Sequence, residues 1–124
     1  MKHLLIILAV TALPAVASGH ESAKGPNGGP VVDSSGHHVE MVVNGAELVL
    51  FLTGDADAPI ASAGTKNARA IVQDGGKTAT VPLQPAQPNK LVGALAAPLG
   101  KGARVVVSAT MADGHAVQAR FVNN

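Results

Sequence analysis

The sequence predicts an all-β protein, an antiparallel β-sandwich of about seven to eight short strands of immunoglobulin-like or transthyretin-like type. Short runs in which apolar and polar residues alternate are separated by clusters of Gly, Pro, Asn and Asp, which is typical of strands joined by turns. After the N-terminal region, no run shows a period of about 3.6 residues over the length that a helix needs. Because the chain contains neither Cys nor Trp, the Cys-Trp-Cys pattern of true immunoglobulin domains is missing. The architecture is therefore predicted without a family.

Residues 1–19 have the composition of a secretory signal peptide. Lys2 supplies a basic start, residues 4–10 form an apolar run, and small residues offer cleavage sites after Ala17 or after Gly19. The apolar run is too short to cross a bilayer, which takes about 20 residues, and no later run is long enough to act as an anchor. We therefore expect an exported protein of the periplasm, with no membrane insertion after cleavage.

Residues 20–29 predict a flexible N-terminal arm, because they are rich in Gly, Pro, Ser and Asn and have no apolar period. The arm is expected to become ordered at Gly28 and Gly29, just before a first short strand at residues 31–32. Residues 30–124 are then predicted to form a single β-sandwich domain.

Residues 37–52 predict a β-hairpin around Asn44-Gly45, because both residue types tolerate the positive φ angles of a type I′ turn. A two-residue turn there places Val43 opposite Ala46, Met41 opposite Leu48 and Val39 opposite Leu50. One face of this hairpin is then entirely apolar, and the other face carries His38 and Glu40 side by side.

The remaining strands are predicted at residues 68–73, 77–83, 89–95, 103–111 and 116–122. In the last hairpin, a three-residue loop of Asp113, Gly114 and His115 puts all the apolar residues on one face, whereas a two-residue turn would not. This loop pairs Met111 with Val117, Ala109 with Ala119 and Val107 with Phe121. His115 is then predicted to lie at an exposed loop tip.

Composition excludes several classes of function. Removing Lys2 with the signal peptide leaves eight of the nine basic residues against eight acidic ones, and this balance argues against nucleic acid and against an anionic membrane surface. With no Cys, disulfides, thiolate metal sites and a Cys nucleophile are excluded. No Gly-x-Ser-x-Gly motif, phosphate-binding loop or apolar carboxylate pair is present. We therefore predict that the protein is not an enzyme and has no organic cofactor.

Metal binding is the sharper hypothesis, because neutral imidazole is a common ligand of transition metals and a carboxylate can complete the shell. His38 and Glu40 share one strand face, and His37 points the other way near the start of the strand. A usable site would need His20 from the arm, or His115 if its loop lies at the same end. These five residues predict a site for Cu(II), Zn(II), Ni(II) or Co(II), although histidines at a strand start are also commonly only solvated.

Four segments carry a resemblance to a known group of proteins. They are Gly25-Pro26-Asn27-Gly28-Gly29-Pro30-Val31-Val32, Gly36-His37-His38-Val39-Glu40-Met41-Val42, residues 48–52, and Asp55-Ala56-Asp57-Ala58-Pro59-Ile60. Together they resemble small exported bacterial proteins that accompany heavy-metal efflux systems, and the extra N-terminal periplasmic domain of some membrane-fusion adaptor subunits. The resemblance implies an accessory metal-handling role, with a metal-efflux adaptor or pump subunit as partner and with His20, His37, His38 and Glu40 at the matching positions.

Two functions follow from these observations. The first is a periplasmic accessory protein that binds a transition-metal ion, or passes it on, in heavy-metal efflux or resistance. The alternative is a non-metal interaction module that docks on an envelope complex through a sheet edge or through the side of the first hairpin that carries Val42 and Val49.

Overall fold

A computed structural model describes residues 23–124 and confirms the predicted all-β antiparallel sandwich. The signal peptide predicted at residues 1–19 and the candidate ligand His20 lie outside the described residues. The strands are β1 (Val31–Ser34), β2 (His37–Asn44), β3 (Glu47–Thr53), β4 (Lys66–Asp74), β5 (Lys77–Pro82), β6 (Gln84–Ala86), β7 (Lys90–Ala94), β8 (Arg104–Thr110) and β9 (Ala116–Val122). A short 3₁₀ turn, Asp55–Asp57, follows β3. Within the described range, no helix has the length and apolar character needed to cross a membrane.

The strands form two antiparallel sheets. The five-stranded sheet has the order β1-β2-β3-β7-β6, and the four-stranded sheet has the order β5-β4-β8-β9. Along one side, the chain passes from β5 directly to β6 at the buried residue Leu83. Along the other side, the backbone N–H of Gln118 in β9 donates a hydrogen bond of 3.0 Å to Ser34 Oγ in β1. The two sheets are therefore joined along both edges of the sandwich, by the chain on one side and by a hydrogen bond on the other.

Buried apolar side chains fill the space between the two sheets. Those of the five-stranded sheet include Val39, Met41, Leu48, Leu50, Leu52 and Leu91, and those of the four-stranded sheet include Ala70, Val72, Val81, Val105, Val107, Ala109, Val117, Ala119 and Phe121. They occupy alternate positions of each strand because successive strand residues point to opposite faces. The predicted apolar faces of both hairpins are therefore confirmed.

The register of the first hairpin differs from the prediction by two residues. Asn44 pairs with Glu47, so Met41 lies opposite Leu50 and Val39 lies opposite Leu52. The turn residues are Gly45 and Ala46, of which only Gly45 has a positive φ, 60°. That pattern belongs to a type II′ turn, which needs Gly at its first central position, and not to the predicted type I′ turn. The slip of two residues leaves every side chain on its predicted face.

The last hairpin shows a difference of the same kind. Ala109 pairs with Val117 and Val107 pairs with Ala119, two residues away from the predicted partners. Residues 111–115 make the connection, because the N–H of Met111 donates to the carbonyl of His115 at 2.8 Å. His115 lies at the loop, exposed as predicted.

Candidate functional site

Glu40 lies under the N-terminal arm, which folds back across the outer face of β2. Its side chain points outward because its neighbours Val39 and Met41 point into the core. The N–H of Asn27 and the N–H of Gly29 each donate to Glu40 Oε2 at 2.9 Å. Asn27 Nδ2 donates to Glu40 Oε1 at 3.0 Å. With only 4% of its surface exposed, Glu40 uses its carboxylate to hold the arm in place.

Glycines make this close approach of the arm possible. A Cβ on Gly25 would collide with the Glu40 carboxylate, and a Cβ on Gly29 would collide with the carbonyl oxygen of Met41. Between them, the N–H of Gly28 closes a turn on the carbonyl of Gly25 at 3.0 Å, with a φ of 83° that a residue with a Cβ rarely adopts. The glycines at 25, 28 and 29 therefore fit the arm to β2.

His38 pairs with a carboxylate that was not among the predicted ligands, that of Asp33. Asp33 in β1 lies opposite His38 in the strand register, and the His38 Nδ1 atom contacts Asp33 Oδ1. This pair lines an open groove of about 720 Å³ between the arm and the end of β2 and β3, together with Lys24 and Asp57. The exposed Asp33 was not predicted because its place opposite His38 depends on the pairing of β1 with β2.

His37 and His115 come together on the opposite side of β2. Their ring centroids are 6.0 Å apart and the rings are inclined by 52°. His37 Nδ1 lies 3.2 Å from the carbonyl oxygen of Ser35, and His115 Nδ1 lies 2.7 Å from Asp113 Oδ2. The β8–β9 loop therefore does reach the end of β2 at which His37 lies.

The candidate metal ligands of the described residues thus lie on two faces of β2: Glu40 and His38 both line the groove, where the arm binds Glu40 and Asp33 contacts His38, whereas His37 lies beside His115 on the other face. Among residues 23–124, no three His, Cys, Asp or Glu side chains form a group that could hold a metal ion. Alternation along β2 causes this separation, because it sends His37 and His38 to opposite faces.

The contact with His115 lowers the pKa of the Asp113 carboxyl, which an NMR titration can measure. The His115 backbone N–H, at 3.0 Å, and then its imidazole hold the pKa of the Asp113 carboxyl below its ordinary value of 3.8. A lowered carboxyl pKa stabilises the fold above pH 3.8, and this contribution is lost as the pH falls through the folded-state pKa. In an NMR titration, we expect His115→Ala to raise the Asp113 pKa only partway, because the backbone N–H remains. His37→Ala is the control and should raise it less, since His37 is the smallest cause.

An apolar patch lies on the outer face of the five-stranded sheet. Val42, Val49 and Val92 occupy one row across β2, β3 and β7, and Phe51 is the next outward residue on β3. Val49, at the centre, is 8% exposed, and the other three are half-buried. We call Val42, Val49, Phe51 and Val92 the apolar patch. Sequence reasoning identified Val42 and Val49 but missed Val92, because the pairing of β7 with β3 was not predicted.

Comparisons with known proteins find few matches to this chain. No family model matches the chain, and no curated protein matches it. A solved structure that matches is the archaellum periplasmic stator protein FlaG from Sulfolobus acidocaldarius, with a TM-score of 0.40 and 16% sequence identity over 65% of this chain and 92% of that chain.

The function expected first from the sequence, a metal-binding accessory in heavy-metal efflux, is wrong. Within the described range, the predicted ligands do not assemble, and Glu40 is committed to the arm. The resemblance to proteins of metal-efflux systems stays a prediction that no comparison tests.

Proposed function

We propose that this protein is a non-metal interaction module of the cell envelope, which docks on a protein complex through the outer face of its five-stranded sheet. The observation that carries the proposal is the apolar patch, which lies at the middle of that face. The signal peptide predicted at residues 1–19 supports a periplasmic location.

The composition of the patch and its surroundings fits a protein partner. Scattered single apolar residues are normal on a protein surface, whereas a contiguous group with a polar rim is typical of protein interfaces. Gln84, Lys90, Glu47 and Asn44 lie beside the patch in the strand register. This rim contains both signs of charge, so apolar contact at the centre would supply the affinity and the rim would orient the partner. We expect a partner that presents an apolar surface with a mixed polar rim.

The position of the patch within the sheet also favours docking, because the patch is already rigid before a partner binds. Three of its residues form a cross-strand row in the interior of the sheet, where both neighbouring strands fix the backbone. A rigid face loses little conformational entropy on binding, so less of the interaction energy is spent on ordering it. No metal ion takes part in this mode of binding.

The experiment is site-specific photo-cross-linking in the intact envelope, with benzoylphenylalanine in place of Phe51. Val92→Lys then puts a charge into the patch, and we expect it to abolish the adduct. Val106→Lys is the matched control, because Val106 is also a half-buried, outward-facing valine but lies on the other sheet. Chelator in the buffer should leave the adduct unchanged, since the proposed contact needs no metal.

A further inference from the structure

All three arginines of the chain lie on one face of one sheet. Arg69 in β4, Arg104 in β8 and Arg120 in β9 are exposed, outward-facing residues of the four-stranded sheet. Lys66 joins them, because it pairs with the outward-facing Thr110. We call these four residues the basic face, and we propose that it docks on the anionic headgroup layer of a lipid membrane.

The strand register shows how the positive charges are spread. Arg69, Arg120 and Arg104 occupy three successive outward rows of the sheet, one arginine to a row. With strands about 4.8 Å apart and about 3.4 Å of rise per residue, their Cα atoms are roughly 8 to 14 Å from one another. The charges therefore cover a broad area instead of converging on one point. A planar layer of charge matches this distribution better than a small anion does.

No carboxylate interrupts the basic face. The outward positions of β4, β5, β8 and β9 between residues 69 and 122 are apolar, hydroxyl, amide or basic, apart from the turn ends. Among residues 23–124, the ion pairs are His38–Asp33 and His115–Asp113, so the described residues neutralise none of the three guanidinium groups. Asp74, at the end of β4, accepts the backbone N–H of Gly100 at 2.8 Å. The positive charge is therefore available to a ligand.

A recess at one end of the basic face is shaped for a headgroup. It has a volume of about 400 Å³ and lies among the glycines at 75, 76 and 102, with Lys77 and Arg104 as its charged residues. Both charges are positive, and glycine lining lets a phosphate approach the backbone closely. A lipid phosphate at this end would bind between two cations.

The residues between the arginines fit the surface of a bilayer and disfavour other anionic partners. Val122 is 48% exposed and lies next to Arg104 in the register, so it can enter the interface between headgroups and acyl chains. The chain has no Trp or Tyr and two Phe, and neither Phe lies on this face, so bases or sugars would find no stacking partner. The apolar patch lies on the opposite face of the sandwich, so membrane and protein partner could be bound at the same time.

The test is co-sedimentation of the exported protein with vesicles. We expect binding to vesicles of 40% phosphatidylglycerol in phosphatidylcholine at low salt, and none to pure phosphatidylcholine. Each cation near an anionic surface adds about a fivefold factor to binding, so Arg69→Gln/Arg104→Gln/Arg120→Gln should weaken it about 100-fold. The control Lys24→Gln/Lys90→Gln/Lys101→Gln removes the same charge elsewhere and should change binding less than about tenfold.

Three results would overturn the proposal. The first is no binding of the wild-type protein to the anionic vesicles. The second is an equal loss in both triple variants, because net charge alone would then explain the binding. The third is tighter binding to soluble polyphosphate than to vesicles, because a free polyanion would then be the occupant. Circular dichroism of each variant shows whether weaker binding reflects the loss of surface charge or unfolding of the protein.

Discussion

Replacing Glu40 with alanine is expected to lower the free energy of unfolding by about 3 kcal/mol, because three hydrogen bonds to a buried carboxylate are lost together. The donors are the N–H and Nδ2 of Asn27 and the N–H of Gly29. Once Glu40 is gone, the arm loses the group that holds it on β2. Since the chain has no Trp or Tyr, urea unfolding is best followed by far-ultraviolet circular dichroism.

Glu47→Ala is the matched control for this variant. Glu47 lies on the same outer face, at the start of β3, but it is exposed, so its loss should change the stability by less than about 0.5 kcal/mol. Equal stability of the Glu40→Ala variant and the wild type would contradict the structural role of the carboxylate.

Replacing Gly29 with alanine should destabilise the protein by a similar amount, about 3 kcal/mol. The new Cβ would collide with the carbonyl oxygen of Met41 and also crowd Val42 Cγ2, at 3.1 Å. Gly29 is buried, and a backbone atom cannot move aside as the end of a flexible side chain can. We expect the arm to be displaced from β2, which protease cleavage near residues 23–30 would report alongside the urea midpoint.

Gly54→Ala supplies the control for the glycine substitution. Gly54 has a φ of −111°, which alanine adopts freely, and its nearest contact would be Ile60 Cδ1 at 3.5 Å. We expect a change of less than about 1 kcal/mol. If both glycine variants lost the same stability, the close approach of the arm to β2 would not be the cause.

The apolar alternation was sufficient to predict the faces of the strands but not their register. In both hairpins, the observed pairing lies two residues from the predicted one, as Met41 with Leu50 and Ala109 with Val117 show. A slip of two residues keeps every side chain on its face, so the hydrophobic pattern cannot detect it. The turn decides the register, and Gly45 takes the first position of a type II′ turn instead of the second position of a type I′ turn.

In the candidate sites too, features set within one strand could be predicted, whereas contacts between distant segments of the chain could not. The opposite directions of His37 and His38 could be predicted, because they follow from the two-residue period of one strand. The use of Glu40 could not, because its partners Asn27 and Gly29 reach it only when the arm folds across β2. A Gly-rich run before a strand does indicate backbone that approaches something closely, but it does not say what.

The net charge of the chain did not indicate the basic face. Near-neutral composition argued against an anionic membrane, but alternation in β4, β8 and β9 places Arg69, Arg104 and Arg120 on one side. Charge summed over a chain contains no information on its distribution, which depends on how the strands are paired.

Photo-cross-linking from position 51 in the intact envelope tests the docking function most directly. Our account predicts an adduct with a protein of defined mass, which is lost in the Val92→Lys variant and kept in the Val106→Lys variant and in the presence of chelator. No adduct from position 51, or an adduct of equal yield in both lysine variants, would contradict docking through the apolar patch. An adduct that chelator abolishes would contradict a metal-free contact.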